Sequence, residues 1–367
     1  MKLFLCAGET SGDQRAAALL RELKALRPEI RATAVGGGAL AAEGASLLTD
    51  LTAIAPIGIV EVLKDLNVYR KAMAQAEAWC ARERPDVAVL LDFPDFNLRL
   101  AARLKRLGIP VVYYISPQVW AWRPGRVKGI AKVVDRMLVL FDFEEEIYRK
   151  AKVDVRWVGH PLAEQFPEGG SPVRTHGLVG LLPGSRPKEV ARLLPVLAGA
   201  AVRIAREKPG TRFTVAPTPA VPAALVKDLL AKAGLEAEVR PGGALDLMRS
   251  AELLLIASGT ATLEAALCGA PMVVVYKVSP ATAAMGRMLL KLKEFALANI
   301  LSGGGTVPEC IQGNATPAKV AATALALLKD PARREAMSRK LGDVRRHLGP
   351  PGSSLRAAQA VLEVASR

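Results

Sequence analysis

The chain is poor in the residues that build metal sites, disulfide frameworks and nucleic-acid interfaces. Its 367 residues include four cysteines, with no CxxC pair, and three histidines. Neither a disulfide scaffold nor a metal site is therefore expected. Aromatic residues make up 5% of the chain, and no recognition helix or aromatic-basic pattern occurs, so nucleic acid is not an expected partner. We expect no cofactor.

Long hydrophobic runs and nucleotide fingerprints are also missing. The apolar runs are short and end in Gly, Pro or charge, which excludes a transmembrane helix, and the first strand begins at the N-terminus, which leaves no room for a signal peptide. We therefore expect a cytoplasmic protein. Neither GxGxxG nor GxxxxGK[ST] is present, which disfavours a nicotinamide oxidoreductase and excludes a Walker A loop.

Positive charge is in excess and unevenly distributed. The net charge is +15, with 24 Lys and Arg against 20 Asp and Glu in residues 1–167 and 26 against 15 in the remainder. This surplus favours diphosphates or anionic membrane surfaces as partners. The length, with 51% hydrophobic residues, is enough for two cores and hence two domains.

The most informative stretch is 251–276, which predicts a strand, a helix and a second strand of a parallel sheet. The turn Ser258-Gly259-Thr260 opens directly into the helix. Its unpaired N–H groups and the helix dipole suit a phosphate. Glu264, one turn further, could then reach ribose hydroxyls. The alternative is that Thr260 only caps the helix and Glu264 only favours its first turns.

Turns in the first half also follow predicted strands. The turn at 8–13 carries Glu9 and Asp13, with Ser11 between them, and suits sugar hydroxyls better than a pyrophosphate. Strand 86–91 ends in Asp92 and Asp95, where open α/β sheets place their ligands. Asp95 as a helix N-cap is the alternative.

A loop with two tryptophans follows strand 111–115. Tryptophans are costly to expose and unnecessary for a turn, so a ligand-facing role is favoured over simple loop packing. With the preceding turns, this loop completes the candidate acceptor or cleft residues: Glu9, Ser11, Asp13, Asp92, Ser116, Gln118, Trp120, Trp122 and Arg123.

The segment 57–73 has more apolar residues than a single core-facing stripe needs. Predicted as a helix pair over 57–66 and 69–82, it could lie in a membrane interface, or could pack on the sheet as an ordinary helix. The candidate membrane patch is Ile59, Val62, Leu63 and Leu66.

The second half repeats the pattern after a Gly- and Pro-rich stretch at 167–175. Strand 178–182 ends in a turn where Arg186 could neutralise a phosphate. We predict an α/β fold of the GT-B-like class, with two Rossmann-type parallel-sheet domains facing across a cleft and a C-terminal helix crossing back. The predicted bounds are 1–166, 176–345 and 346–367.

Nine motifs, in this order, resemble the lipid-A-disaccharide synthase family: AGETSGD, IGIVEVL, DFPDFN, SPQVWAWR, VGHPL, LPGSR, SGTATLE, ANILSG and VPECIQ. The resemblance implies an inverting, metal-independent glycosyltransferase. It implies transfer from UDP-2,3-diacylglucosamine to 2,3-diacylglucosamine 1-phosphate (lipid X), with a β(1→6) disaccharide and UDP as products. One departure is the run 303–305, three glycines where relatives tend to have a Gly-Arg pair.

This chemistry needs a base for the acceptor hydroxyl and a positive site for the departing UDP. We assign the base to Asp95, with Asp92 in reserve. The assigned donor residues are Ser185, Arg186, Ser258, Gly259, Thr260, Glu264 and Asn299. A homodimer and attachment to the inner membrane are also expected. The alternatives are another UDP-N-acetylglucosamine-using enzyme, either a peptidoglycan lipid transferase or a 2-epimerase, and a non-catalytic UDP-sugar-binding protein.

Overall fold

The computed structural model describes residues 1–52, 59–120, 125–166, 173–278 and 294–367, with the backbone alone for 59–66. The chain divides into two compact units, one formed by Met1–Gln165 with Leu348–Arg367 and the other by Phe166–His347. Their central strands are almost continuously apolar and fully buried, as in Val87–Leu91. Parallel strands covered by helices on both faces have this composition.

The first unit is a seven-stranded sheet with helices. Its strands are β1 (Lys2–Ala7), β2 (Arg31–Gly36), β3 (Ser46–Asp50), β4 (Val87–Leu91), β5 (Val111–Tyr114), β6 (Arg136–Val139) and β7 (Asp154–Trp157). Its helices up to residue 165 are α1 (Thr10–Leu26), α2 (Gly38–Ala42), α3 (Ile59–Glu83), α4 (Pro94–Arg106), α5 (Arg126–Ile130), α6 (Asp142–Lys150) and α7 (Leu162–Gln165).

The strand order of this sheet is β3-β2-β1-β4-β5-β6-β7, with every pair parallel. The chain proceeds from β1 towards one edge and then restarts at β4 towards the other. The turns after β1 and β4 therefore lie side by side at the point where the strand order reverses. Open α/β sheets bind their ligands at this point.

The second unit has the same plan with six strands. They are β8 (Thr175–Leu182), β9 (Arg212–Val215), β10 (Glu238–Val239), β11 (Ala251–Ala257), β12 (Met272–Tyr276) and β13 (Glu309–Ile311). Over the described ranges 173–278 and 294–347, its α-helices are α8 (Pro187–Glu207), α9 (Ala223–Ala233), α10 (Ala244–Ser250), α11 (Thr260–Leu267), α12 (Leu297–Leu301), α13 (Pro317–Leu328) and α14 (Pro331–Gly342). The order β10-β9-β8-β11-β12-β13 reverses between β8 and β11, so the turns after these two strands are adjacent.

The last helix, α15 (Ser353–Ala365), belongs to the first unit and packs against α1, β4 and β5. A buried guanidinium anchors it. Arg136, 1% exposed, donates to the Ala360 carbonyl at 3.0 Å and to carboxylates of Glu363 at 2.6 Å and Asp154 at 2.8 Å. The prediction of two Rossmann-type domains with a returning C-terminal helix is confirmed.

Two details differ from the sequence-based expectations. The helix pair predicted over 57–82 is wrong, because α3 runs without a break from Ile59 to Glu83; Asn67 in a helix interior costs only a few tenths of a kcal/mol, about as much as other ordinary residues. The short edge strand β3 was not predicted. No helix in the described part of the chain is long and apolar enough to cross a membrane.

Candidate active-site residues

The turn after β4 is strained and held in place by buried partners. Asp92 and Phe93 have φ values of 46° and 47°, a left-handed conformation that is costly for residues other than glycine. The Tyr113 hydroxyl donates to the Asp92 carbonyl at 2.6 Å, and the Asn97 side-chain amide donates to the carbonyls of Leu91 and Asp92 at 3.0 and 2.9 Å. Strain secured in this way is typical of functional sites.

The turn after β1 packs directly on this turn. The Phe93 ring covers Gly8 so closely that an added Cβ would lie 2.3 Å from the ring. Only glycine fits there, and this close approach brings Glu9 and Asp92 to the same edge of the sheet. Sequence reasoning placed both residues in the acceptor site, and the structure brings them together.

Asp92 has the electrostatic environment of a carboxyl that binds protons more strongly than usual. Burial raises its pKa, and the negative charge of Glu9 raises it further, while the Phe93 N–H group and the Arg15 guanidinium oppose the shift. A carboxylate with a raised pKa is a stronger base, and groups perturbed in this way cluster at active sites.

Asp95 lies in a different environment. It occupies the first turn of α4, its side chain is 80% exposed, and its carboxylate pairs with Arg126 at 2.6 Å. The N-cap residue of the helix is Phe93, so the alternative that Asp95 is the cap is wrong. The negative charge of Asp95 still stabilises the start of α4, because it interacts favourably with the helix dipole.

Asp13, one of the predicted acceptor residues, is used inside the fold. It is 3% exposed, and its carboxylate accepts the N–H groups of Gly37 at 2.8 Å and Ala39 at 2.9 Å at the start of α2. These bonds fix the turn after β2. The structure therefore gives Asp13 a structural position rather than one that faces a sugar.

The remaining acceptor candidates fall into three groups. Glu9, Ser11 and Gln118 are exposed. Ser116 is buried, and Trp120 is half-buried with its ring edge-on to Phe143. Trp122 and Arg123 lie outside the described residues.

His160, from the VGHPL motif, is a buried neutral histidine. Burial, and then the Arg15 charge, lower its pKa to about 3. Its Nδ1 accepts the Leu162 N–H at 3.1 Å and its ring stacks on Phe141, so the ring proton lies on Nε2. Among the described residues, no group of three or more His, Cys, Asp or Glu is placed to hold a metal ion.

In the second unit, the two predicted phosphate turns lie on adjacent strands. Leu182 at the end of β8 pairs with Ile256 of β11, so residues 183–186 and 258–260 share one edge of the sheet. Helix α11 begins at Thr260, and the unpaired N–H groups of its first turn are directed to this edge. Ser258, Gly259 and Thr260 are all at least partly exposed.

Two charged side chains here form no ion pair with any residue that the structure describes. Arg186 is exposed at the N-cap of α8 and forms no ion pair within the described part of the chain. Glu264 is half-buried on α11, and burial raises its pKa. Ser185 uses its N–H group to bond the Glu189 carboxylate at 3.0 Å, which fixes the turn that carries Arg186.

Asn299 differs from these donor candidates because its amide is fully used inside the protein. The side chain is 1% exposed; its Nδ2 donates to the Val307 carbonyl at 2.9 Å and to Glu309 at 2.7 Å, and its Oδ1 accepts the Val307 N–H at 2.8 Å. These bonds close the loop that contains 303–305, all three with positive φ. We assign Asn299 to the support of this loop.

Sequence reasoning missed two residues that shape the site. Asn97 braces the strained turn, and its only signal was its place at the end of DFPDFN. Glu144, from α6, is 4% exposed and holds Ser116; an acidic residue on an acidic helix gave no signal of burial.

Comparisons with known proteins agree over the whole chain. The sequence profile of the family described as lipid-A-disaccharide synthetase matches residues 3–364. A lipid-A-disaccharide synthase from Anaeromyxobacter dehalogenans (strain 2CP-1) is 45% identical over 372 residues, covering 99% of this chain and 97% of that protein. A Myxococcus xanthus protein of the same name is 41% identical, with the same coverage.

Solved structures share the fold at low identity. A UDP-GlcNAc 2-epimerase from Neisseria meningitidis, solved with UDP-GlcNAc, has a TM-score of 0.63 and 12% identity over 99% of this chain and 100% of that one. A glycotransferase of kitacinnamycin has a TM-score of 0.61 and 18% identity over 99% and 98%. From the profile match and the full-length relatives together, we conclude that the chain belongs to the lipid-A-disaccharide synthase family of glycosyltransferases.

Proposed function

We propose that the chain transfers 2,3-diacylglucosamine from its UDP derivative to the 6-hydroxyl of 2,3-diacylglucosamine 1-phosphate. The products are a β(1→6)-linked tetraacyl disaccharide 1-phosphate and UDP. The observation that carries the proposal is the family match over residues 3–364. The polar turns at the strand-order reversal of each sheet supply the chemistry that this reaction needs.

The second unit is the proposed donor site. The amides of 258–260 and the Arg186 guanidinium would hold the diphosphate. Glu264 would accept hydrogen bonds from the ribose hydroxyls. As the bond between the anomeric carbon and the diphosphate oxygen breaks, these donors stabilise the negative charge that UDP takes with it.

The first unit is the proposed acceptor site, and we transfer the base from Asp95 to Asp92. The raised pKa of Asp92 and its strained, braced backbone favour it over Asp95, which is exposed and ion-paired. Asp92 would take the proton of the acceptor hydroxyl as its oxygen attacks the anomeric carbon from the face opposite UDP. One displacement of this kind inverts the configuration.

Release of UDP tests the reaction. The purified protein is incubated with UDP-2,3-diacylglucosamine, with and without the lipid acceptor, and with UDP-N-acetylglucosamine in a parallel series. We expect UDP only when both lipids are present. Release from UDP-N-acetylglucosamine would favour another UDP-sugar enzyme, and UDP binding without turnover would favour a non-catalytic protein.

We also propose that the protein attaches to the inner face of the cytoplasmic membrane through the start of α3. The side chains of Ile59, Val62, Leu63 and Leu66 lie outside the described residues. The next turns of the helix border a groove of about 470 Å³, lined by Leu48, Thr49, Asn67, Val68, Lys71, Ala72 and Gln75. Apolar burial next to a lysine suits an anionic lipid surface.

Replacing Val62, Leu63 and Leu66 by serine is therefore expected to move the protein from the pellet to the supernatant when it is sedimented with phosphatidylglycerol vesicles. The matched control replaces Leu26 and Leu355 by serine. These leucines are 42% and 37% exposed and lie outside α3, so the control variant should still sediment with the vesicles. An unchanged triple variant with an unchanged melting temperature would refute the membrane patch.

A homodimer completes the proposal, because the family that the chain resembles includes dimers that exchange C-terminal segments. Such exchange is a low-cost route to symmetric association. We expect the mass of a dimer in light scattering at micromolar concentration. A monomer alone would remove this part of the proposal.

A further inference from the structure

The loop that carries the tryptophans begins in a strained conformation. Ile115, the residue after β5, has a φ of 69°, and a β-branched residue in the left-handed region is a genuine outlier. Its N–H group donates to the Leu138 carbonyl at 3.0 Å, which fixes the backbone before Ser116. The direction in which the loop leaves the sheet is therefore set at its first two residues.

The second of these residues is held by a buried carboxylate from α6. The Ser116 hydroxyl donates to Glu144 Oε1 at 2.6 Å, and Glu144 Oε2 accepts the Phe141 N–H at 3.2 Å. Ser116 is 7% exposed and Glu144 is 4% exposed. Glu144 thus caps its own helix with one oxygen and holds the loop with the other.

A carboxyl group at this position is costly. Burial raises the pKa of Glu144 to about 7, although the Ser116 hydroxyl and the Phe141 N–H oppose the shift. No lysine or arginine of the described residues is ion-paired with it to offset the loss of hydration. An apolar residue would pack there at lower cost, so the group has a role that packing does not explain.

Two more polar groups lie close to Glu144 and Ser116. The Trp120 Nε1 and the Tyr148 hydroxyl are buried and form no well-aligned hydrogen bond among the described residues, but Trp120 is near enough to Glu144 to oppose the rise in its pKa. The Trp120 ring contacts Phe143 with 5.5 Å between centroids, and Phe143 stacks on Phe141. The position of Trp120 thus depends on the same first turn of α6 that Glu144 caps.

The loop adjoins the proposed base. Strand β5 pairs with β4 through Leu91 and Tyr114, and the Asp92 N–H donates to the Tyr114 carbonyl at 3.0 Å. A shift of the backbone after Tyr114 would alter the surface next to Asp92. The acceptor is the substrate assigned to this unit, so it is the ligand that such a shift would affect.

We infer that Glu144 is a positioning residue for the acceptor, holding the loop segment from Ser116 to Trp120 in the conformation that binds it. The inference rests on the proposed function. Glu144 is buried and acts through Ser116 and the aromatic contacts of Trp120.

The test compares Glu144→Leu with Glu144→Gln. Leucine leaves the Phe141 N–H buried without a partner and frees the Ser116 hydroxyl from α6, with only its contact to the neighbouring Pro117 carbonyl at 3.1 Å remaining. We therefore expect the acceptor KM to rise at least 10-fold with little change in kcat. UDP affinity, measured by calorimetry, should stay the same. The glutamine side chain can accept a hydrogen bond from the Phe141 N–H and donate one to the Ser116 hydroxyl, because a hydroxyl both donates and accepts. Glu144→Gln should therefore keep the acceptor KM within about threefold of the wild-type value.

Two further variants separate positioning from a general loss of structure. Glu146 lies on the same helix but is exposed and paired with Lys150. Glu146→Leu should therefore leave the acceptor KM unchanged. Ser116→Ala should also raise the acceptor KM, and the double variant should be no worse than Glu144→Leu alone, because that change already removes the contact with Ser116.

Two results would overturn the inference. One is an unchanged acceptor KM in a folded Glu144→Leu variant, and the other is an equal loss of acceptor and UDP binding. Failure of the proposed function would look different, since the wild-type protein itself would then release no UDP.

Discussion

Replacing Asp92 by asparagine is expected to lower turnover by roughly 10²–10⁴-fold, the usual loss when a positioned base is removed. UDP affinity should not change, because the proposed donor residues are on the other unit. Since burial and Glu9 raise the pKa of Asp92, the acid limb of the wild-type kcat/KM profile should lie above the pKa of an ordinary aspartate.

The raised pKa of Asp92 also predicts how Asp92→Asn affects stability. A carboxyl whose pKa is raised on folding binds its proton more tightly in the native state. The free energy of unfolding therefore falls as pH rises from the unfolded-state pKa through the folded-state value. At neutral pH the ionised Asp92 destabilises the fold, so Asp92→Asn should keep or raise the melting temperature. Lost activity together with a lower melting temperature would point to a structural role instead.

Asp95 is the comparison for this experiment. If Asp95 acts only through its ion pair with Arg126, Asp95→Asn should retain most activity, and Asp95→Lys combined with Arg126→Glu should recover what either change alone loses. If Asp95 is the base, Asp95→Asn should be inactive and the charge exchange should not rescue it. Activity in both Asp92→Asn and Asp95→Asn would leave Glu9 as the next carboxylate to test.

The second large effect is expected at the donor site. Arg186→Ala and Glu264→Ala should each weaken UDP binding by about 1.5–3 kcal/mol, the range for hydrogen bonds to charged groups, which is roughly 10- to 150-fold in Kd. Neither side chain has an ion-pair partner within the described residues, so its removal should cost little stability. Isothermal calorimetry with UDP measures both changes.

A matched control for Arg186 is Arg206→Ala. Arg206 is exposed in the last turn of the same helix, α8, far along the axis from the turn after β8. It removes the same charge from the same element and should leave UDP affinity unchanged. Equal losses in both variants would indicate a general effect of net charge, and no loss in Arg186→Ala would refute the donor placement.

The strand-end turns were predictable because their signals are local. An apolar strand, a turn of small polar residues and a helix follow one another at 178–189 and at 251–267, and the periodicity of each segment is visible in the sequence. The partners of the side chains are not local. Asp13 bonds to amides of the turn after β2, and Asn299 bonds across a loop to Glu309, so neither role follows from the motif alone.

Which of Asp92 and Asp95 is the better candidate for the base was not predictable, for a similar reason. Both lie in one hexapeptide, DFPDFN, and both are aspartates at the end of a strand. Burial, the neighbouring Glu9 and the packing of Phe93 on Gly8 distinguish them, and all three depend on the strand order of the sheet. The role of Glu144 depends in the same way on a distant contact, its hydrogen bond with Ser116 in the loop after β5.

The return of α15 to the first unit has a consequence for the order of events during synthesis. The face of α1 that α15 covers stays uncovered, and two of the three partners of Arg136 stay absent, until α15 has left the ribosome. Since the second unit is made in between, at about 5–20 residues per second this gap lasts on the order of 10–40 s. During that interval the nascent first unit exposes apolar surface that chaperones recognise, whereas the second unit, continuous in sequence, can complete its core as it emerges.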